Sequence, residues 1–231
     1  VAMSALLGLS LTSKAGGLIG VATNTTIIGS CFNGNLSSDG LVKLTSNLGG
    51  IVGEASSTSI EASYSTGTIA LNGVLSNAAG IVAVLTDSQI TESYSTMNIN
   101  SSILNLVGVS LSSIAANVSG SSSVTYSVAA TGNINSLVSG LLSPILPGMS
   151  RVCGVVYSGV CSNNYASDDM LYSGLLVLEG LDAGLDTNDG ATAALEDLYK
   201  EGFYTGAAGT VLSWDFYDMW KANTNAMPTF K

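Results

Sequence analysis

Three groups of residues have types and spacings that could do chemistry. In "DAGLDTNDG" at 182–190, Asp182, Asp186, Asn188 and Asp189 offer the oxygen ligands that a hard cation such as calcium takes. The spacing departs from an EF-hand: with Asp186 as position one, Gly190 falls one residue early. The other reading is a solvated turn that leads into a helix, with Asp189 as its N-cap. Glu61 and Glu92 are a candidate carboxylate pair, because they fall at neighbouring positions of an internal repeat. Paired glycosidase carboxylates stand roughly 5–10 Å apart, a distance that adjacent repeats could provide. Cys153 and Cys161 flank "GVVYSGV" and are either a disulfide or two thiols, and an export setting favours the bond. Cys31 is left over, and its position in the repeat suggests a buried, inert thiol. Asn24, Asn35, Asn100 and Asn117 each open an Asn-x-Ser/Thr triplet, a glycosylation candidate wherever the source glycosylates its surface proteins.

What is missing narrows the chemistry. The chain has no His, which removes the commonest general base and metal ligand near neutral pH. Its formal net charge is −10, and its six Lys and Arg are scattered. Clustered cations are what nucleic-acid phosphates require, so a nucleic-acid partner is excluded. Charged residues make up 10%, against roughly 25% in ordinary soluble domains. Ser, Thr, Asn and Gly take over the surface role, which suits a secreted protein that touches copies of itself. The apolar opening "VAMSALLGLSLTS" stops at Lys14, short of the roughly 20 residues that span a bilayer, and "SLVSGLLSPILPGM" is broken by Pro144 and Pro147. The start at Val1 leaves it open whether a leader was removed or lies upstream.

The elements that must position these residues come from that repeat. "IEASYSTGTI" at 60–69 returns as "ITESYSTMNI" at 90–99, and "GIVG" at 50–53 returns as "GIVA" at 80–83 with the same offset. Two further units align more loosely, "AGGLIG" to "IIGSCFNGNL" over 15–36 and "SSIAAN" to "VTYSVAATGNI" over 112–134, and "SGLLS" at 139–143 is a trace of a fifth. Their Ile, Val, Thr, Ser, Tyr and Gly favour strands and turns. The pattern therefore predicts an all-β fold, a parallel β-helix (β-solenoid) of about 4–5 coils. Aligned positions should stack: Ile28, Ile60, Ile90 and Val124 as one ladder, Leu18, Ile51, Ile81 and Ile114 as another, Cys31 with Ser63, Ser93 and Ser127, and Phe32 with Tyr64 and Tyr94. Glu92 shares the parity of Ile90, so a bulge between Ile90 and Tyr94 is expected to keep its charge out of the core.

"GGIVGEASSTSIEASYSTGTI" resembles the GLUG-motif repeat of bacterial and archaeal surface proteins, over about residues 15–135. "SNNYASDDM" and the segment from "LEDLYKEGFYT" to the last residue are similar to the sequence that follows such arrays. Ala83, Ala116 and Met97 stand where the family has glycine. The resemblance implies a β-solenoid in an adhesin or another large exported protein.

The expected organisation is an N-terminal strand over 1–14, repeats over 15–150 and a C-terminal cap over 151–231. In "VAMSALLGLSL" apolar residues alternate with small ones, which reads as a strand that is either a remnant coil on its own chain or a donation to the next subunit. In the cap, "TNDGATAALEDLYKEGF" reads as a helix that stops at Gly202, and "TVLSWDFYDMW" as a strand. Functionally, the expectation is an extracellular, cell-surface structural protein, a filament subunit or adhesin segment, with itself or a cell-surface glycan as partner and no cofactor. The alternative is a polysaccharide lyase or hydrolase built on the same fold.

Overall fold

A computed structural model describes residues 2–4, 10–39, 43–71, 75–101, 109–136, 148–174 and 182–231. The trace of a fifth unit at 139–143 lies outside them. The chain winds as a parallel β-solenoid with four walls. Wall 1 stacks Ser10–Gly16, Lys43–Gly49, Leu75–Ala79 and Val109–Ser112. Wall 2 stacks Ile19–Thr23, Val52–Ser56, Val82–Thr86, Ala115–Ser119 and Cys153–Val156. Wall 3 stacks Thr26–Ile28, Ser59–Glu61, Gln89–Thr91, Ser123–Thr125 and Val160–Ser162. Wall 4 runs from Ala2–Ser4 and Cys31–Asp39 through Tyr64–Leu71, with later coils splitting the strand in two; one half ends at Leu171–Gly174 and the other passes Tyr165–Ser167 to Ala191–Ala193.

Inward-facing ladders make the core. Ile27, Ile60, Ile90, Val124 and Cys161 pair in one register, and Ile51, Ile81 and Ile114 are fully buried at the corner between walls 1 and 2. From Ile28 onward the first unit is thus shifted by one residue from the expected alignment, whereas Leu18 keeps its expected place beside Ile51. Ile28 pairs with Glu61 and faces solvent, and Leu18 is exposed. Cys31 pairs with Tyr64, and Phe32 pairs with Ser65 and packs against the end of the core. The reason is a corner: Gly29 has φ +58°, in line with Ala62, Glu92, Tyr126 and Asn163, all left-handed at the turn from wall 3 to wall 4. With Gly29 at the turn, the serine slot after it falls to Ser30, not Cys31. The same left-handed corner, not a bulge within a strand, keeps Glu92 out of the core.

Such corners break the strand ladder, and serine repairs it. Ser63 Oγ accepts from the Ser30 N–H, Ser93 Oγ from the Ser63 N–H, and Ser127 Oγ from the Ser93 N–H. Each of these hydroxyls donates back to the carbonyl two residues earlier. A buried N–H without a partner would cost about 1–3 kcal/mol, so one hydroxyl per coil removes that penalty. Much of the serine expected at the surface is therefore inside, including Ser46, Ser63, Ser65, Ser93 and Ser95. Where walls 1 and 2 meet, a Cβ on Gly50 would sit 1.8 Å from the Gly80 carbonyl oxygen, so only glycine fits. Ala83 and Ala116, by contrast, are fully buried and their coils stack.

The N-terminal segment follows one of its two readings, and the C-terminal region departs from expectation. Ala2–Ser4 and Ser10–Gly16 pair in parallel with strands of their own chain, as a remnant coil would. The boundary near 151 falls inside the solenoid, because residues 153–174 form a fifth coil and Ala191–Ala193 adds a strand to wall 4. The expected helix is reduced to a single turn, α1 (Glu201–Tyr204). An open parallel edge at Tyr165–Ser167 offers Ala191–Ala193 backbone partners that a short helix does not. "TVLSWDFYDMW" is mostly turns, and only its last residue enters a strand, Trp220–Asn223, paired antiparallel with Ala226–Phe230.

Residues 194–231 lie along the flank of wall 4 instead of closing its end. Met219 meets Gly29 in the first coil, and Phe230 meets Tyr64 in the second. Trp214 stacks on Tyr94 in the third and donates its indole N–H to the Tyr126 carbonyl in the fourth. Phe203 packs edge-on against Tyr165 in the fifth. The tail is a lateral strap over an outward-facing aromatic ladder, in which Tyr64 and Tyr94 stack 4.9 Å apart.

Candidate functional site

At the corner between walls 2 and 3 the backbone turns through a left-handed residue in every coil: Asn24, Ser57, Asp87, Gly120 and Gly159. In the first three coils two hydroxyl-bearing or polar residues follow it, giving Thr25-Thr26, Thr58-Ser59 and Ser88-Gln89. Together they line an open groove of about 560 Å³. Its floor is fixed by the same serine device that repairs the other corner: Ser88 Oγ accepts from the Thr58 N–H at 2.9 Å, and Ser122 Oγ from the Ser88 N–H at 3.1 Å. Along one rim Thr26, Ser59, Gln89 and Ser123 stand in register, one per coil. Strand spacing sets their rise at about 4.8 Å. Asp87 is the single charged residue of the lining. Its carboxylate accepts from the Ser121 N–H at 2.9 Å and from the Ser121 hydroxyl at 3.0 Å, which holds it below the usual carboxylate range. Sequence reasoning missed this groove because Ser and Thr carry little signal singly. The signal that could have found it is the recurrence, at the repeat offset, of a Ser or Thr followed by a second polar residue.

The residues singled out from sequence fall elsewhere. Glu61 and Glu92 do come close on the outer face of wall 3. Partial burial, then the Glu61 carboxylate, then Asp215 of the strap push the Glu92 carboxyl above its ordinary value, and the Asp215 N–H that it accepts pulls the other way. That bond anchors the strap, a structural task for a residue considered as a catalytic acid.

The acidic loop closes the end of the fifth coil. The Asp189 carboxylate accepts from the Arg151 N–H at 2.9 Å and the Asp182 N–H at 3.1 Å, and Asp186 accepts from the Asn163 N–H. The Asn188 carbonyl accepts the N–H groups of Val152 and Cys153. Arg151, 1% exposed, threads beneath and donates to the carbonyls of Asp189 and Gly190 and to the Thr192 hydroxyl. Of the calcium candidates Asp182, Asp186, Asn188 and Asp189, the carboxylates of Asp186 and Asp189 thus have protein donors as partners, and Asp182 and Asn188 take part through their backbone. No three His, Cys, Asp or Glu gather for a metal among the described residues. Asp189 caps no helix.

Cys153 and Cys161 are disulfide-bonded across the interior of the fifth coil, with Cα atoms 6.7 Å apart. Cys31 is exposed, against the expectation of burial, because the shifted register puts it on the outer tyrosine ladder. Of the four sequon asparagines, Asn24 and Asn35 are exposed and Asn100 is half-buried. Asn117 donates to Asn77, which donates to Asn47, in a side-chain ladder along three coils. Comparison of the chain with protein-family models, with curated proteins and with solved structures finds no match.

Proposed function

We propose that this chain is an extracellular structural protein that acts at a cell surface by end-to-end self-association. The observation that carries the reading is where the exposed apolar side chains lie. Leu18, Val21 and Ile28 are on the first coil, and Tyr157, Val160 and Leu171 are on the fifth. Leu75 on the third coil, Tyr126 on the fourth and Val211 and Tyr217 on the strap are exposed too. Along wall 3, however, the outer positions that follow Ile28 are Glu61, Thr91 and Thr125, so that row is apolar at the first coil and polar in the middle. Among the described residues, Ile19–Thr23 and Thr26–Ile28 at one end and Val160–Ser162 at the other pair with a strand on one side only, and such edges promote pairing with another chain. A contact between two different ends does not close on itself, so it grows a filament. The intrachain pairing of Ala2–Ser4 and Ser10–Gly16 favours stacking of end coils over donation of residues 1–12. A disulfide within a coil supports an oxidising setting outside the cell.

Electron microscopy and light scattering of the purified protein test this directly. Wild type should form linear polymers, and V21D/I28D, which puts two charges on an exposed rim, should remain a folded monomer. A wild type that stays monomeric when concentrated, or a double variant that polymerises as before, overturns the proposal.

A further inference from the structure

The groove between walls 2 and 3 carries more hydrogen-bonding capacity than the fold consumes. Its floor hydroxyls are engaged with backbone, as shown by Thr58 donating to the Ser56 carbonyl and Ser88 to the Thr86 carbonyl. Its rim is different: Asn24, Ser57, Asp87 and Gln89 are exposed, and of these side chains only that of Asp87 has a described protein partner. Amides supply both donors and acceptors, hydroxyls supply either, and Asp87 adds a charged acceptor, whose hydrogen bonds are roughly twice as strong as neutral ones. These groups recur once per coil along the solenoid axis, so the matching ligand is a polymer with hydroxyls at a comparable, regular rise. The lining has no cation, and the chain's net charge is −10, which repels anionic polymers.

We infer that this groove binds an uncharged polysaccharide, laid along the solenoid axis with its hydroxyls donating to Asp87 and exchanging hydrogen bonds with Asn24, Ser57 and Gln89. The lining offers no aromatic platform, so one groove binds weakly. The inference rests on the proposed filament only for strength, because aligned copies would turn weak sites into a tight contact through effective concentration. The site itself is complete in one monomer. Asn24 is also a sequon asparagine, and a glycan attached there would cover the groove.

The test is titration of the full chain, followed by NMR amide shifts, with cellohexaose, mannohexaose and chitohexaose, and with oligogalacturonate as the anionic contrast. At least one neutral hexasaccharide should bind saturably at millimolar concentration or below, with the largest shifts at Thr58, Ser88 and Gln89. N24A/Q89A should weaken it about tenfold, as expected for loss of two modest hydrogen bonds. D87N keeps an acceptor for both Ser121 bonds while removing the charge, and should weaken binding while the protein stays folded with only a small drop in melting temperature. Failure of all three neutral sugars, equal binding by N24A/Q89A, or preference for oligogalacturonate each overturns the inference. Binding by a protein that never polymerises would sink the filament and leave the groove standing.

Discussion

Ile27 is 7% exposed and points into the core, whereas Ile28 is 52% exposed on the outer face of wall 3. Ile60, one coil on from Ile27, is fully buried. Truncating Ile60 to Ala should cost about 2–5 kcal/mol, from lost burial plus the cavity left behind. Ile28→Ala should change stability by no more than about 0.5 kcal/mol. Urea denaturation that ranks the two the other way would refute the one-residue shift of the first coil. Glu92 makes a prediction of opposite sign to most carboxylates. Its folded pKa is raised, so between the unfolded and folded values the native state holds more proton than the unfolded chain. Ionising it therefore lowers stability as pH rises from about 4.3 upward. Glu92→Gln should keep an acceptor for the Asp215 N–H, flatten that decline and raise the melting temperature at neutral pH. A lower melting temperature at pH 7 would show that the charge is needed. Asp87 behaves conventionally: the stability its depressed pKa contributes is present above the unfolded value and fades as pH falls through the folded one.

The strap and the disulfide are separable elements with separable signatures. The strap's own cluster, with Trp214, Trp220, Tyr204 and Phe203 packed on Tyr64 and Tyr94, is distinct from the solenoid core. Trp214→Ala should cost about 3–5 kcal/mol and expose the tyrosine ladder, read as binding of a hydrophobic dye while the far-ultraviolet circular dichroism holds. Loss of both signals together would mean that strap and coils form one cooperative unit. The disulfide closes a loop of sequence separation 8. Chain-entropy arguments give roughly 2.5 kcal/mol for such a loop. Reduction should lower stability by about that much and loosen the fifth coil first. No change in the denaturation midpoint on reduction would mean that neighbouring contacts already fix this end.

At the scale of the molecule, each coil rests on its neighbours, so stability should follow position along the axis, as in other stacked repeats. Among the described residues, the third coil has a partner on both sides in every wall, whereas walls 2 and 3 of the first coil have one on one side only. Amide exchange should be slowest at Ile81, Leu85 and Ile90 and faster at Ala22 and Ile27. If copies stack end to end, polymerisation should slow exchange in the first coil and leave the third unchanged. A uniform exchange profile along the axis would contradict the one-dimensional description.

The solenoid was legible in the sequence because stacking places like residues at a fixed offset, and "IEASYSTGTI" and "ITESYSTMNI" carry that offset in their apolar and tyrosine positions alike. Ile60, Ile90 and Val124 sit where the repeat put them. The one-residue shift of the first unit was hidden, because a left-handed corner depends on a dihedral angle and Gly29 competes with its neighbours for that place. Local propensity misjudged residues 187–220. Ala191–Ala193 found a strand edge far away in sequence, and Trp214 and Trp220 were claimed by tyrosines far upstream. The groove was half legible, its polar pairs present in the repeat but their shared face unknown until the corners turned. Periodicity fixes which residues stack. Which of those stacks face water, which face the core and which are covered by the tail depends on long-range packing, and only the tertiary structure decides it.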